Sequence, residues 1–343
     1  MSGRAIGGPA QGGPTASGPT ASGSAADGPA VVGSAPLVLA RTKAELASAR
    51  AGLDLRNGPV VLVPTMGALH AGHGTLLRAA GALAGPDGSV VVSIFVNPLQ
   101  FGPGEDLDRY PRTLDDDLAM CASTGVSLVF APSAAEMYPH GQPEVTVDPG
   151  PAGQVFEGQF RPGFFDGVLT VVLKLLHLIR PAIVVFGQKD AQQLALVRRM
   201  VSDTDAGIDV ESVPTARDAD GLATSSRNRY LSAADRKVAL ALPRALSAGQ
   251  ARAADGASAV LSAAQQMLRA EPALAVDYVA VVDPRTFTAV RPDHGGPALL
   301  VAAARAGGTR LIDNVPLVLP AGPGGGRLSD AAEEGRARDA ADD

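Results

Sequence analysis

The 343-residue sequence has one cysteine, no tryptophan, and aromatic side chains at only 4% of positions. A lone Cys121 closes no internal disulfide and supplies no cysteine-rich zinc site, which fits a reducing compartment, the cytoplasm. With so few aromatics the core must be built from aliphatic side chains, and at 46% hydrophobic residues there is enough of them to exclude disorder of the whole chain. A basic excess is missing as well: 29 Lys plus Arg stand against 35 Asp plus Glu, for a net charge of −6. Nucleic-acid binders draw most of their affinity from neutralising phosphates, so no nucleic-acid partner is expected and the ligands should be small molecules. No run approaches the roughly 18 uninterrupted apolar residues of a membrane helix, and no charged start followed by an apolar stretch marks a signal peptide. Neither membrane insertion nor export is expected.

At roughly 100–200 residues per domain, the length suggests two domains. Residues 1–35 are almost entirely Gly, Ala, Ser, Pro and Thr, with Gly13 to Ser17 repeated as Gly18 to Ser22. Such a segment buries too little surface to offset its ordering entropy, so it reads as a disordered tail. Residues 321–343, opening on Gly and Pro and ending in mixed charges, read as a second one. Between them, residues 36–215 and 216–320 follow different patterns.

In the first, strand, loop and helix alternate. Val60 to Val63 is a short apolar run closed by Pro64, and helical spacing follows from Thr75 to Leu83, which makes Pro64 to Gly74 a strand-to-helix loop. Val90 to Val96 and Ala182 to Phe186 repeat the pattern, the latter leading into a helix through about Met200. Strands apolar on both faces and alternating with helices predict an α/β fold, a parallel sheet with helices on both faces. Val168 to Ile179 is apolar nearly all round and predicts a central buried helix stopped before Pro181, with His177 as a hydrogen-bonded core residue. From about Ala216, two Ala-rich helices (Ala233 to Ala248, kinked at Pro243, and Ala257 to Leu268) precede strands at Val276 to Val282, Leu299 to Ala304 and Arg310 to Asp313. That order predicts a smaller α+β domain.

Ligands of open parallel sheets bind beyond the carboxyl ends of the strands, where the polar clusters of this sequence fall. His70-Ala71-Gly72-His73 sets two imidazoles three residues apart around a glycine at a helix start. Helix N–H groups attract an anion, the glycine admits it closely, and the imidazoles can donate to its oxygens. The same pair is compatible with a metal site or with two unrelated surface histidines. Gly187-Gln188-Lys189-Asp190 places one of only four lysines at a strand end, a point charge for phosphate or, more simply, an exposed helix-start ion pair. Gln192 and Gln193, one turn on, suit a hydroxylated ligand or a solvated face. Thr224-Ser225-Ser226-Arg227-Asn228-Arg229 collects two serine hydroxyls and two guanidinium forks, an anion clamp if it closes over a polyphosphate and an ordinary loop if it does not.

Taken together, Pro64 to His73, Ser93 to Phe101, Phe186 to Gln193 and Ser225 to Asn228 closely resemble the pantothenate synthetase family, in family order and spacing over residues 37–318. His-x-Gly-His alone is shared by a wider nucleotidyltransferase superfamily; the four blocks together are specific. The resemblance implies a Rossmann-like domain at residues 36–215, a smaller lid domain at 216–320, and a homodimer. It implies the ATP-driven condensation of pantoate with β-alanine to pantothenate, AMP and pyrophosphate through a pantoyl adenylate.

Carried over by position, Met66, Gly67, Ala68, Leu69, His70, Ala71, Gly72 and His73 resemble the ATP loop, with His73 as proton donor and His70 beside it on the phosphates. Gly187, Gln188, Lys189 and Asp190 resemble a second ATP segment, with Lys189 on the phosphates. Ala216 falls where backbone meets adenine, and Thr224, Ser225, Ser226 and Arg227 fall on the phosphate loop. Gln100 and Gln193 match pantoate ligands, Gln100 also lying near β-alanine, and Asn97 and Arg161 fall at positions lining the site. ATP implies Mg²⁺, for which Asp116 and Asp117, in the run Asp115 to Asp117, are candidate carboxylates; an acidic helix start is the simpler reading of that run. Met120 stands where some relatives carry glutamine, and Thr224 where Met or Leu is frequent. Two other readings remain open on the residues alone: a nucleotidyltransferase acting on a phosphorylated acceptor, and a nucleotide-binding module without turnover.

Overall fold

The structure, a computed structural model, describes residues 37–53 and 58–321. The tails expected at 1–35 and, apart from Ala321, at 321–343 lie outside the described residues. Six strands, β1 (Val38–Ala40), β2 (Val60–Thr65), β3 (Ser89–Ile94), β4 (Leu128–Phe130), β5 (Ile183–Gly187) and β6 (Asp209–Val213), form a sheet in the order β1-β4-β3-β2-β5-β6. Every pairing in it is parallel.

The apolar runs alternate between two cores. Leu62, Val91 and Val184 face one side, where they meet α1 (Lys43–Leu53), α6 (Phe164–Ile179) and α7 (Ala191–Asp203). Val61, Val63, Val90, Val92 and Val185 face the other, against α2 (Ala71–Ala84) and α3 (Leu114–Ser123). Because successive strand residues point to opposite faces, strands covered on both sides must be apolar throughout. Short helices α4 (Ala134–Met137) and α5 (Glu157–Phe160) lie in the β4 to α6 connection.

Helix α6 starts four residues before the predicted Val168, directly after Gly163, and ends at Arg180, whose φ of 50° breaks the helix ahead of Pro181. His177 is a correction: it is exposed, its Nδ1 sharing a hydrogen bond of 2.8 Å with the Leu173 carbonyl one turn back. An apolar stretch broad enough to look buried all round still leaves α6 a solvent-facing edge.

The second sheet is an antiparallel meander of β7 (Leu274–Val282), β8 (Gly296–Ala306) and β9 (Thr309–Leu319) in the order β7-β8-β9. It is covered by α8 (Ala233–Ala239), α9 (Ala241–Gln250) and α10 (Ala257–Arg269), through Leu242, Leu246, Val260 and Leu268 against Leu300, Ala302 and Leu311. The helix predicted to kink at Pro243 is instead two helices meeting at Leu240, since the proline ring crowds the carbonyl of the residue four before it. β9 runs well past the predicted Asp313 and includes Pro316, which an edge strand tolerates because its outer side needs no donor. Among the described residues, no helix is long and apolar enough to cross a membrane.

Candidate active site

β2 and β5 are neighbours, yet the chain leaves β2 toward β3 and β4 on one side and leaves β5 toward β6 on the other. A crevice opens where the winding reverses. The loops beyond β2, β3, β5 and β6, with residues of β9 opposite, line a cleft of about 940 Å³ there.

Helix α2 begins at Ala71, four residues before the predicted Thr75, because Ala71 and Gly72 carry no side chain that would show the apolar period. The two histidines shape its first turn. His70 is the N-cap, its Nδ1 accepting the Gly72 N–H at 3.2 Å, and the His73 Nδ1 accepts the His70 N–H at 3.2 Å. With both Nδ1 atoms acting as acceptors, the neutral rings carry their protons on Nε2. The ring centroids are 4.1 Å apart. Desolvation, reinforced by Lys189, lowers His70 to about 4, and desolvation with the neighbouring His70 and Lys189 lowers His73 to about 3. Both are therefore neutral donors at pH 7. A Cβ on Gly72 would stand 3.0 Å from His70 Cε1 and 3.4 Å from the Ala216 Cβ, so glycine allows this loop and the residue 216 segment to meet.

Asp117 holds the loop from below. Gly67 and Ala68 take φ of 82° and 51°, and the turned backbone aims the Ala68 and Leu69 N–H groups at the Asp117 carboxylate, at 3.0 and 2.7 Å. Thr113 Oγ1 donates a third bond at 3.2 Å. An αL alanine costs roughly 1–2 kcal/mol, which the charge-assisted bonds offset. Asp116 and Asp117, expected as metal ligands, are thus corrected: Asp117 is buried with its oxygens turned to backbone N–H groups, and Asp116 faces solvent in the acidic first turn of α3. Among the described residues, no group of three or more His, Cys, Asp or Glu is placed to hold a metal. The pair does not fit Mg²⁺.

Lys189 follows β5, with Nζ 3.8 Å from Asp190 Oδ1. Its backbone is fixed from the second sheet, where Asn314 Nδ2 donates to the carbonyls of Gln188 and Lys189 at 2.9 and 3.0 Å. Beside it, Arg217 forms a two-pronged pair with buried Asp313 at 2.7 and 3.0 Å. The Gln188 side chain turns away to Ser212 Oγ at 3.2 Å.

At the other end lie the glutamines. Gln100 and Gln193 line the cleft; Asn97 does not. Asn97 is fully buried, donating to Gln100 Oε1 at 3.1 Å and the Gly167 carbonyl at 3.0 Å and accepting from the Tyr138 hydroxyl at 2.9 Å. It orients Gln100, whose Oε1 it occupies. A Cβ on Gly167 would collide with the Leu99 carbonyl, so this glycine lets the turn bearing Gln100 seat on α6. Gln192 is buried and frames the α5 segment, accepting the Glu157 N–H at 3.0 Å and donating to the Ala152 and Val155 carbonyls at 2.8 and 2.9 Å. Arg161 donates to the Gln100 carbonyl at 3.0 Å and stacks over Phe164, its guanidinium 3.7 Å from the ring centroid.

Of the predicted nucleotide residues, Met66, His70, Gly72, His73, Gly187, Lys189, Asp190, Ala216 and Thr224 to Arg227 line the cleft. Gly67, Ala68 and Leu69 support it as loop backbone, while Ala71 faces solvent. The Ser226–Tyr230 turn is capped by Ser225, whose Oγ accepts the Arg227 N–H at 3.3 Å. Sequence reasoning missed the partners of this turn: Asp106, in a two-pronged pair with Arg227, and Tyr110, whose hydroxyl lies 3.3 Å from Ser226 Oγ. It also missed Glu157, which receives Arg310 Nη1 at 2.5 Å and the Tyr278 hydroxyl at 3.4 Å, and Asn314. Only the polar pair Asp313-Asn314 inside an apolar strand carried a signal.

Residues 38–316 match the family model described as pantoate-beta-alanine ligase. A pantothenate synthetase from Thermobifida fusca is 57% identical over 291 residues, spanning 82% of this chain and 96% of its own. One from Streptomyces coelicolor is 51% identical, over 82% of this chain and 96% of its own. Among solved structures, pantothenate synthetase from Thermus thermophilus superposes with a TM-score of 0.75 at 46% identity, covering 82% of this chain and all of that one. A pantoate-beta-alanine ligase from Francisella tularensis, described as complexed with beta-gamma ATP and beta-alanine, gives 0.67 at 31% identity over 82% and 97% of the two chains.

Proposed function

Because the chain belongs to the pantoate-beta-alanine ligase family, we infer that it is a pantothenate synthetase, joining pantoate to β-alanine with ATP, and that the β2/β5 crevice is where it does so. The observation carrying this reading is that His70, His73 and Lys189, the residues suited to phosphate, line one cleft together with Gln100 and Gln193.

In the first step a pantoate carboxylate oxygen attacks the α-phosphorus in line. The new O–P bond replaces the bond to the β-phosphate, and pyrophosphate leaves. Negative charge builds on the phosphoryl oxygens, where the Lys189 ammonium, the Nε2–H groups of His70 and His73, and the α2 N-terminus are placed to receive it. Neutral at pH 7, His73 serves as a hydrogen-bond donor to that charge rather than as an imidazolium acid. Ser226 and Arg227 close on the phosphates from the far side. Gln100 and Gln193 hold pantoate, Gln100 through its Nε2 because Asn97 occupies its Oε1.

In the second step the neutral amine of β-alanine attacks the acyl carbon. A C–N bond forms, the C–O bond to AMP breaks, and the amine proton passes to solvent. A cleft that holds both reactants against one carbonyl supplies mostly positioning. Mg²⁺ enters as the counter-ion of ATP, and no step is assigned to it.

We further place the enzyme in the cytoplasm, on its single buried cysteine, and propose a homodimer on its resemblance to the family; sedimentation at twice the chain mass tests the latter. The activity is tested by following pyrophosphate release with ATP and pantoate, then AMP and pantothenate after β-alanine is added. Turnover dependent on all three substrates is expected. ATP cleavage indifferent to pantoate would refute the reading.

A further inference from the structure

Arg227 and Ser226, the clamp side chains assigned to the phosphates, are both engaged by one short segment that lines the same cleft. Arg227 Nε and Nη2 donate to the two carboxylate oxygens of Asp106 at 3.0 and 2.9 Å, and Ser226 Oγ meets the Tyr110 hydroxyl at 3.3 Å. The Tyr230 hydroxyl adds a bond to the Arg109 carbonyl at 3.1 Å. The fork of a guanidinium fits a carboxylate and a phosphate in the same two-pronged geometry, so Asp106 occupies the donors that a phosphate would use. The pair is shielded, the side chains of Arg227 and Asp106 being 29% and 15% exposed, so water screens it only in part.

The neighbouring residue anchors this carboxylate. Glu105 receives Arg161 Nε and Nη2 at 2.9 and 2.7 Å, and Arg161 also holds the Gln100 carbonyl. When Asp106 lets go of Arg227, Glu105 keeps the segment tied to the pantoate end. A carboxylate tethered this close competes at an effective concentration of about millimolar or above.

Resting on the assignment of Arg227 to the phosphates, we propose that Asp106 is a positioning residue that acts through Arg227, standing in for a phosphate so that ATP binds and pyrophosphate departs by exchange with it. Its carboxylate keeps the guanidinium aimed across the cleft before the nucleotide arrives. It reclaims the guanidinium once the α–β bond is broken, which weakens the grip on pyrophosphate.

The test is titration calorimetry of the full chain with magnesium pyrophosphate and with a non-hydrolysable ATP analogue, on the wild type, D106N, R227A and the double variant. R227A should weaken both ligands. D106N should tighten pyrophosphate by about threefold or more, the scale of a partly exposed ion pair, and make it a correspondingly stronger product inhibitor. D106A, which leaves no amide to hydrogen-bond Arg227, should shift it further, and in the R227A background the Asp106 effect should vanish. If R227A weakens binding but neither Asp106 variant tightens it, the proposal is overturned while the clamp assignment stands. If R227A itself binds as the wild type does, the clamp assignment fails and takes this proposal with it.

Discussion

His70 and His73 cap the same helix turn for each other, each offering Nδ1 to a backbone N–H of the other's neighbourhood, so that both rings, which line the cleft, carry their protons on Nε2. The arrangement makes two uncharged donors out of residues that sequence alone would allow to be a metal pair or an acid. Selective ¹⁵N labelling should find both rings as neutral Nε2–H tautomers, titrating near 4 and 3 rather than at the ordinary 6.5. Since the folded rings bind fewer protons than the unfolded ones, their contribution to stability is fully present above about pH 6.5 and is lost as pH falls toward those values. An imidazolium signal from His73 at pH 6 would contradict the assignment.

Asp117 makes the opposite commitment. Its carboxylate is spent on the Ala68 and Leu69 N–H groups, so Asp117→Asn should destabilise the fold by about 2 kcal/mol, the scale of charge-assisted bonds to a buried group, and raise the KM for ATP about tenfold. Excess Mg²⁺ should restore neither. Asp116→Asn, on the exposed side of the same helix turn, should change little. Recovery of Asp117→Asn by added metal would return the pair to a ligand role.

Both adjacent glutamines on α7 line the cleft, but Gln192 is tied to the α5 segment while Gln193 is the one proposed to hold pantoate. Gln192→Ala strands the Glu157 N–H and the Ala152 and Val155 carbonyls, and thermal or urea unfolding should register a loss of about 1–3 kcal/mol. Gln193→Ala removes a side chain that lines the cleft; it should leave the melting temperature in place and raise the KM for pantoate. Reversed effects would refute the division.

Asn314 reaches from the second sheet to the Gln188 and Lys189 carbonyls. Asn314→Ala should therefore slow adenylation about tenfold by loosening Lys189, an effect of misplacement rather than of lost charge. Asn314→Asp cannot donate to either carbonyl and should do no better than alanine. Steady-state rates at saturating ATP and pantoate decide it, and wild-type turnover in both variants would show that the second sheet does not position this lysine.

The parallel sheet was legible because strands buried on both faces must be continuous apolar runs, and Val60 to Val63 could be little else. The short edge strand β1 and the polar edge strand β6 were not, because an edge strand needs no such run, and the interior β4 was not, because its three residues are too few to show one. At the site, the cleft-lining residues proposed to meet the ligands clustered in loops with distinctive chemistry: His70, His73, Lys189, Ser226 and Arg227. The residues holding them did not. Asp106 meets Arg227 across 121 residues and Arg310 meets Glu157 across 153, distances over which no local spacing speaks. Asn97 and Asp117 were visible as polar residues near the motifs, yet only their burial shows that they serve the backbone and the neighbouring side chain instead of a ligand.

The central claim is that the crevice between β2 and β5 activates pantoate by adenylation through neutral imidazoles and Lys189. Pantoate-dependent exchange of pyrophosphate into ATP, measured without β-alanine, tests it most directly. The wild type should exchange, and His73→Ala and Lys189→Ala, folded by circular dichroism, should lose about a hundredfold or more, the scale of a lost oxyanion donor. Exchange that requires β-alanine, or that survives in either variant, would contradict the account.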